Sequence, residues 1–415
     1  MNADVLIIGG GLAGLTCAKG LEEAGVFYLL LEAEDDIGGR VRTDQVNGFL
    51  LDRGFQVFPT AYPEATAQLD YSTLKLRHFS PGAMIRSQGK WHRMLDPFRS
   101  PLSALPGIFS PIGTLSDKIR VAQFRSKVLR GSIRDIFSQP ETSILEHLQN
   151  AGFSSRIIEQ FFRPFFGGIF LDITLQTSSR MADYIFRMFA SGNISLPAAG
   201  MGAIPQQLRS HLSSKNVRTQ ARVTSIQEST AILASGESLS AKAIVVATEG
   251  PSATQLLPSL KVPRYRHVSN LYFASAKAPI VGPYLLLNGE GVGPINNLCV
   301  LTQVAPTYSE TTEQLVSVSV IDSTAQSPAL LEKPVRDQLL GWFGPRVKDW
   351  NFLQASTIET AQPQQLAPFS SPYSFQPHLG EGVFICGDIG TTGTIDGALY
   401  SGRRTAEEIR KWLER

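Results

Sequence analysis

Cysteine is scarce in this chain. Among 415 residues there are three, Cys17, Cys299 and Cys386, with no C-x-x-C pair. Their scatter excludes a disulfide framework and fits a reducing compartment. The six histidines show no metal-ligand spacing, so no metal centre is expected. Charged residues are only 18% of the chain and the formal net charge is +2. That leaves no global electrostatic case for nucleic acid as a partner. No apolar run reaches the ~20 residues that span a bilayer. The first strand-like run begins within a few residues of Met1, so no targeting leader is expected within this sequence, and a longer precursor stays open. The expected location is therefore the cytoplasm or a plastid stroma.

What is present is size and pattern. The length suffices for two sizeable cores, and 43% hydrophobic content is ordinary for a globular protein. The most informative stretch runs from Asp4 to Thr43. Val5-Leu6-Ile7-Ile8 is a short apolar run suited to one buried parallel strand. Gly9, Gly11 and Gly14 follow at G-x-G-x-x-G spacing, and Leu12, Leu15, Ala18 and Leu21 then recur at helical period. Gly25 suits a helix C-terminus. Phe27 to Leu31 is a second apolar strand that ends on Glu32. This is the context a dinucleotide turn requires. Gly9 makes the tight turn, Gly11 lets a pyrophosphate approach the backbone, and Gly14 packs helix on sheet. The amides at the helix start, from Leu12 and Ala13, favour a negative group. Glu32 can accept from a ribose hydroxyl pair and would repel a 2′-phosphate, which disfavours NADP.

After Glu32 and Ala33 comes Gly38-Gly39-Arg40-Val41-Arg42-Thr43. This Glu-x5-Gly-Gly-Arg-x-x-Thr arrangement resembles the flavoprotein superfamily of amine oxidases, phytoene desaturases and protoporphyrinogen oxidases. The resemblance implies that FAD is the cofactor, held without a covalent bond. Gly39 and Arg40 would wrap its pyrophosphate, where a permanent cation is useful. It also implies that Gly54, Phe55, Gln56 and Val57, which follow an Asn47-Gly48 hairpin signal, run beside the isoalloxazine. Val223 would meet the adenine edge through its backbone. At the C-terminal end, Val383-Phe384-Ile385-Cys386 leads to Gly387-Asp388, and Thr394-Ile395-Asp396-Gly397-Ala398 opens a helix. This resembles the family's second FAD motif. Asp388 would serve the ribityl or diphosphate side, and the amides of the Thr394, Ile395, Gly397 and Ala398 turn would face the flavin N1–C2=O edge.

Between the two motifs the pattern is looser. From Arg86 to Arg134 the chain is basic, with Trp91, Met94, Phe98, Leu102, Leu105, Ile108 and Phe109 interleaved and four prolines. The ordinary reading is a solvated face of a helical substrate domain; the other is peripheral association with an anionic membrane. Phe161 to Phe170 holds five phenylalanines in ten residues, either core or the wall of an apolar cavity. Pro197 to Met201 resembles the family's return to the FAD domain. Residues 217–250 read as a β-meander ending in a buried strand, Ala243 to Thr248. Residues 262–375 read as a β-rich unit with one helix near Pro334 to Phe343.

The expected fold is α/β (α+β overall): a Rossmann-like FAD-binding domain from 1–60, 197–260 and 376–415, with a mixed helical and β-sheet substrate domain from 61–196 and 261–375. The expected function is dehydrogenation of a hydrophobic small molecule, carotenoid, porphyrinogen or isoprenoid-like, by hydride transfer to flavin N5. The alternatives are an amine oxidase, a flavin-dependent isomerase, or a non-catalytic prenyl- or lipid-binding protein like the Rab GDP-dissociation inhibitors. Phe165, Phe166 and Phe170 are the candidate cavity residues, with Tyr373 and Tyr400 added for their nearness to the FAD motifs. No acid–base residue and no oligomeric state can be read from the pattern.

Overall fold

The computed structural model describes residues 3–101, 110–321 and 328–415. Leu102, Leu105, Ile108 and Phe109 of the basic stretch lie outside the described residues.

The apolar runs of the two motifs become neighbours in one parallel sheet. Strand Ala3–Ile8 pairs with Tyr28–Leu31 on one side and with the C-terminal half of Ser238–Val246 on the other. Val217–Arg218 extends the first side and Val383–Ile385 the second, both in parallel. Alternate residues of the first strand face two different covers, as a two-residue period demands. Val5 and Ile7 pack with Leu15 and Leu21 of helix Leu12–Glu23. Leu6 and Ile8 pack with Ala231 and Leu239 of an antiparallel meander. That meander is Val223–Gln227, Thr230–Leu233 and the N-terminal half of Ser238–Val246. Sequence alone read Val217 to Gln227 as one stretch of meander. The chain instead turns at Gln220, where φ is +52°, so Val217–Arg218 belongs to the parallel sheet.

The hairpin at Asn47-Gly48 forms as its residues dictate. Both have positive φ, +50° and +79°, and join Thr43–Val46 to Phe49–Asp52. A second sheet of seven strands runs Asn351–Pro363, Tyr265–Ser275, Gln314–Ile321, Ile295–Val300, Leu285–Asn288, Gly82–Ser87, Lys90–Leu95. Its last two strands come from before the meander and the rest from after it. One face packs Leu286, Leu298 and Val318 under helix Glu332–Phe343. The opposite face turns Leu285, Leu287, Asn297 and Ser319 toward a cavity.

A helical layer closes the other side of that cavity. Helix Leu115–Leu129 starts at a capping box in which Thr114 and Asp117 exchange hydrogen bonds. The phenylalanine-rich segment is a π-turn, Ile158–Phe162, running into helix Arg163–Phe170. Ser179–Ser191 is the third helix of this wall. Among the described residues no helix is long and apolar enough to cross a membrane, and no group of side chains could hold a metal.

Candidate active site and cofactor cleft

A single continuous cavity of about 1090 Å³ runs from the dinucleotide turn to the aromatic wall. At the turn, each glycine has a separate reason. Gly9 has φ +112°, and a Cβ there would stand 2.8 Å from the Ala247 carbonyl oxygen. A Cβ on Gly14 would fall 2.0 Å from the Gly9 carbonyl oxygen. Gly11 has nothing within 4 Å of that position, because it faces the cavity. Gly11 and the second glycine turn clasp each other: Gly38 N donates to Gly10 O at 2.8 Å, and Gly11 bridges Gly38. Glu32 is buried at the end of its strand. Its carboxylate accepts the amides of Gly10 at 2.7 Å and Glu34 at 2.9 Å. It therefore shapes the turn as well as facing the cavity.

Arg40 joins the two motifs. Its Nη2 donates to Asp388 at 2.6 Å and its Nη1 to the carbonyl of Ala361 at 3.1 Å, while its side chain stays 36% exposed to the cavity. The other oxygen of Asp388 accepts from the Tyr265 hydroxyl at 2.8 Å. Burial, and then the neighbouring Asp388 charge, push the Tyr265 phenol well above its usual range. Gln56 donates to the carbonyls of Arg40 and Arg53 and so fixes the Gly54–Val57 segment. At the C-terminal motif the Thr394 hydroxyl accepts the Gly397 amide, which caps helix Ile395–Leu413. The Ser401 hydroxyl accepts the Gly387 amide at 2.9 Å.

Of the residues expected at a cofactor, Gly9, Gly11, Leu12, Ala13, Glu32, Ala33, Gly39, Arg40, Gly54, Phe55, Gln56, Val57, Val223, Gly387, Asp388, Thr394, Ile395 and Ala398 line the cavity. Gly14 and Gly397 do not; each packs against backbone instead. Phe165 and Phe170 line it as well. Phe166 is fully buried in the core, one residue and about 100° of helix away from Phe165. Phe161, four residues before Phe165, shares its face and lines the cavity. Tyr373 and Tyr400 stand outside the wall. Their rings meet edge to face at 5.8 Å, beneath Arg134 and Arg403 respectively. Tyr400 lies five residues past Ile395, about 140° around the same helix, so nearness in sequence turned it to the wrong face. Sequence reasoning missed Tyr62, Tyr265, Thr248, Gln362 and the polar wall of Asn297 and Ser319. Thr248 carried a signal, since it closes the buried run Ala243 to Thr248, whose strand ends at Val246; the others have none without the sheet register.

The cleft tests well against a dinucleotide. Thr248 Oγ1 and Gln362 Oε1 are buried in its wall and have no hydrogen-bond partner among the described residues, which calls for a polar ligand. Gly11 is open, Arg40 is permanently charged, and Glu32 sits one strand over.

The sequence profile of the flavin containing amine oxidoreductases matches residues 12–410. The chain belongs to this family. FAD is its cofactor. Protoporphyrinogen oxidase 1, chloroplastic, of Arabidopsis thaliana is 28% identical over 174 residues, 41% of this chain and 31% of that protein. The 15-cis-phytoene desaturase, chloroplastic/chromoplastic, of the same plant is 29% identical over 168 residues, 38% of this chain and 30% of that one. The matches thus span about a third of the length of these relatives. Cyclohexylamine oxidase from Brevibacterium oxydans IH-35A has the same fold, with a TM-score of 0.74, 18% identity and all of both chains covered.

Proposed function

We propose that this protein dehydrogenates a hydrophobic small molecule. FAD, held by the glycine turns, Arg40 and Asp388, would supply the two-electron acceptor for a hydride from a substrate C–H bond at flavin N5, the second hydrogen leaving the substrate as a proton. The observation that carries the reading is the continuity of the cavity, from Gly11 and Arg40 past Gly54–Val57 to Phe161, Phe165, Phe186 and Phe189. The glycine turns and Arg40 bind the dinucleotide end. Gly54–Val57, held by Gln56, orient the middle. The phenylalanine wall excludes water from the far chamber and offers an apolar molecule its packing surface. The names of two relatives, a protoporphyrinogen oxidase and a phytoene desaturase, point to large apolar substrates. An amine substrate fits less well, because the two tyrosines that could have flanked an amine lie outside the wall.

The test is mass spectrometry of a denaturing extract of the purified protein, followed by anaerobic addition of candidate substrates. The expected result is about one FAD per chain, bleached by an apolar substrate. Glu32→Ala is expected to weaken FAD binding at least tenfold, since it loses a ribose acceptor and the Gly10 clamp. A chain that holds lipid but takes up no FAD on reconstitution overturns the reading in favour of a prenyl-binding protein.

A further inference from the structure

We propose that the substrate is an apolar anion, a molecule whose hydrophobic body fills the phenylalanine chamber and whose carboxylate or phosphate lies between Arg99, Lys118 and Arg125. This deepens the function proposed above and rests on it. The chamber wall drawn from residues 59–194 and 268–358 carries four charged side chains among the described residues: Asp96, Arg99, Lys118 and Arg125. Outside the described residues, 102–109 contain no titratable side chain and 322–327 contain Asp322. Among the described residues three cations thus meet one carboxylate, and that carboxylate is committed. One Asp96 oxygen accepts the Phe98 amide at 2.9 Å and the other the Arg125 Nε at 3.3 Å.

Both arginines also cap a helix. Arg99 donates to the Gly192 carbonyl at 2.8 Å and to Asn193, and Arg125 Nη2 donates to the Ala190 carbonyl at 3.1 Å. Both therefore hold the C-terminal end of helix Ser179–Ser191. Capping accounts for those bonds but not for the position. The same helix end supplies Phe186 and Phe189 to the aromatic wall, so the two guanidiniums sit where apolar lining gives way to positive charge. Among the described residues the hydrogen-bond partners of Arg99 are neutral. Lys118 donates to the Ser110 carbonyl from the facing helix. At the partly exposed edge of an apolar chamber such a cluster attracts an anion and repels an ammonium. An arginine fork is also the side chain best matched to carboxylate and phosphate.

The experiment uses the FAD-loaded enzyme and three probes with one apolar body: dodecanoate, dodecanol and dodecylammonium. Binding is read from perturbation of the flavin spectrum and by calorimetry. Dodecanoate is expected to bind at least tenfold more tightly than either of the others. Arg125→Gln and Arg99→Gln should cut that preference to threefold or less, while Arg125→Lys keeps most of it. FAD content is measured on each variant to confirm folding; a folded Arg125→Gln or Arg99→Gln variant that keeps the full preference overturns the proposal, and if both fail to fold the wild-type comparison and Arg125→Lys remain as its test. Equal or tighter binding of dodecanol or dodecylammonium overturns the proposal while leaving the flavoenzyme reading intact. Association with phosphatidylserine vesicles, with no response of the flavin to dodecanoate, also overturns it and assigns the cluster to a membrane surface. Loss of the flavoenzyme reading would show separately, as failure to retain FAD.

Discussion

Asp52 shows how one buried carboxylate ties the molecule together. It accepts from the Thr43 hydroxyl at 2.5 Å, the Met201 amide at 2.9 Å and the Tyr308 hydroxyl at 2.8 Å, and its carbonyl accepts the Tyr272 hydroxyl at 2.6 Å. Those partners come from the hairpin, the return segment and the seven-stranded sheet region. Burial pushes its pKa up to about 6 against the hydrogen bonds that pull it down. Because the folded value lies above the unfolded one, the folded state binds the extra proton between about pH 4 and pH 6. Its contribution to stability is therefore present at low pH and lost as pH rises through that window, by about 3 kcal/mol. Asp52→Asn removes this dependence. The gap in melting temperature, variant minus wild type, is expected to move in the variant's favour between pH 4.5 and pH 7; a gap that stays constant contradicts the assignment. Asp52 was visible in the sequence only as the residue before Arg53-Gly54-Phe55. Its importance depends on Tyr272 and Tyr308, more than 200 positions away.

At the scale of elements, the deciding contact is between two helices that each begin at a glycine motif, Leu12–Glu23 and Ile395–Leu413. They approach at small residues. A Cβ on Gly402 would stand 2.2 Å from the Ala13 carbonyl oxygen, and one on Gly20 would stand 2.8 Å from the Ala406 Cβ. Gly402→Val must push the second helix off the first. It is expected to cost at least about 2 kcal/mol in urea denaturation and to lower FAD retention, because both helix starts line the cleft. Gly341 in helix Glu332–Phe343 is the contrast: nothing lies within 4 Å of its Cβ position. Gly341→Ala is expected to stabilise the protein by up to about 1 kcal/mol. Both helices were legible as helices from period and caps. Pro334 to Phe343 was likewise foreseen, and it forms as Glu332–Phe343. That two helices nearly 400 positions apart share one interface was not legible, since helical period marks a buried face but not its partner.

For the whole molecule, the parallel sheet closes only when residues 383–385 dock beside 244–246. Folding and cofactor binding should therefore be coupled. FAD at a hundredfold its dissociation constant is expected to add about 2.7 kcal/mol to stability, seen as a rise in melting temperature of the FAD-stripped protein. A chain ending at residue 380 lacks the last parallel strand and the capping helix, and it is expected to retain no FAD. Retention by that truncation would show that the first motif suffices.

The sequence by itself determined the local chemistry. Backbone freedom at Gly9, hairpin geometry at Asn47-Gly48, a helix start at Thr394 and strand-like runs at both ends follow from short-range sterics and hydrogen bonding. These are properties of neighbours along the chain, so pattern and spacing reveal them. Only the tertiary structure decided which faces look into the cleft. Phe165 lines it while Phe166 is core, and Tyr373 and Tyr400 pack with arginines outside. It also decided that Arg40 and Asp388, 348 positions apart, form one ion pair, and that three cations border an apolar chamber. Those outcomes depend on helix rotation, sheet register and the meeting of distant segments, which no local pattern encodes.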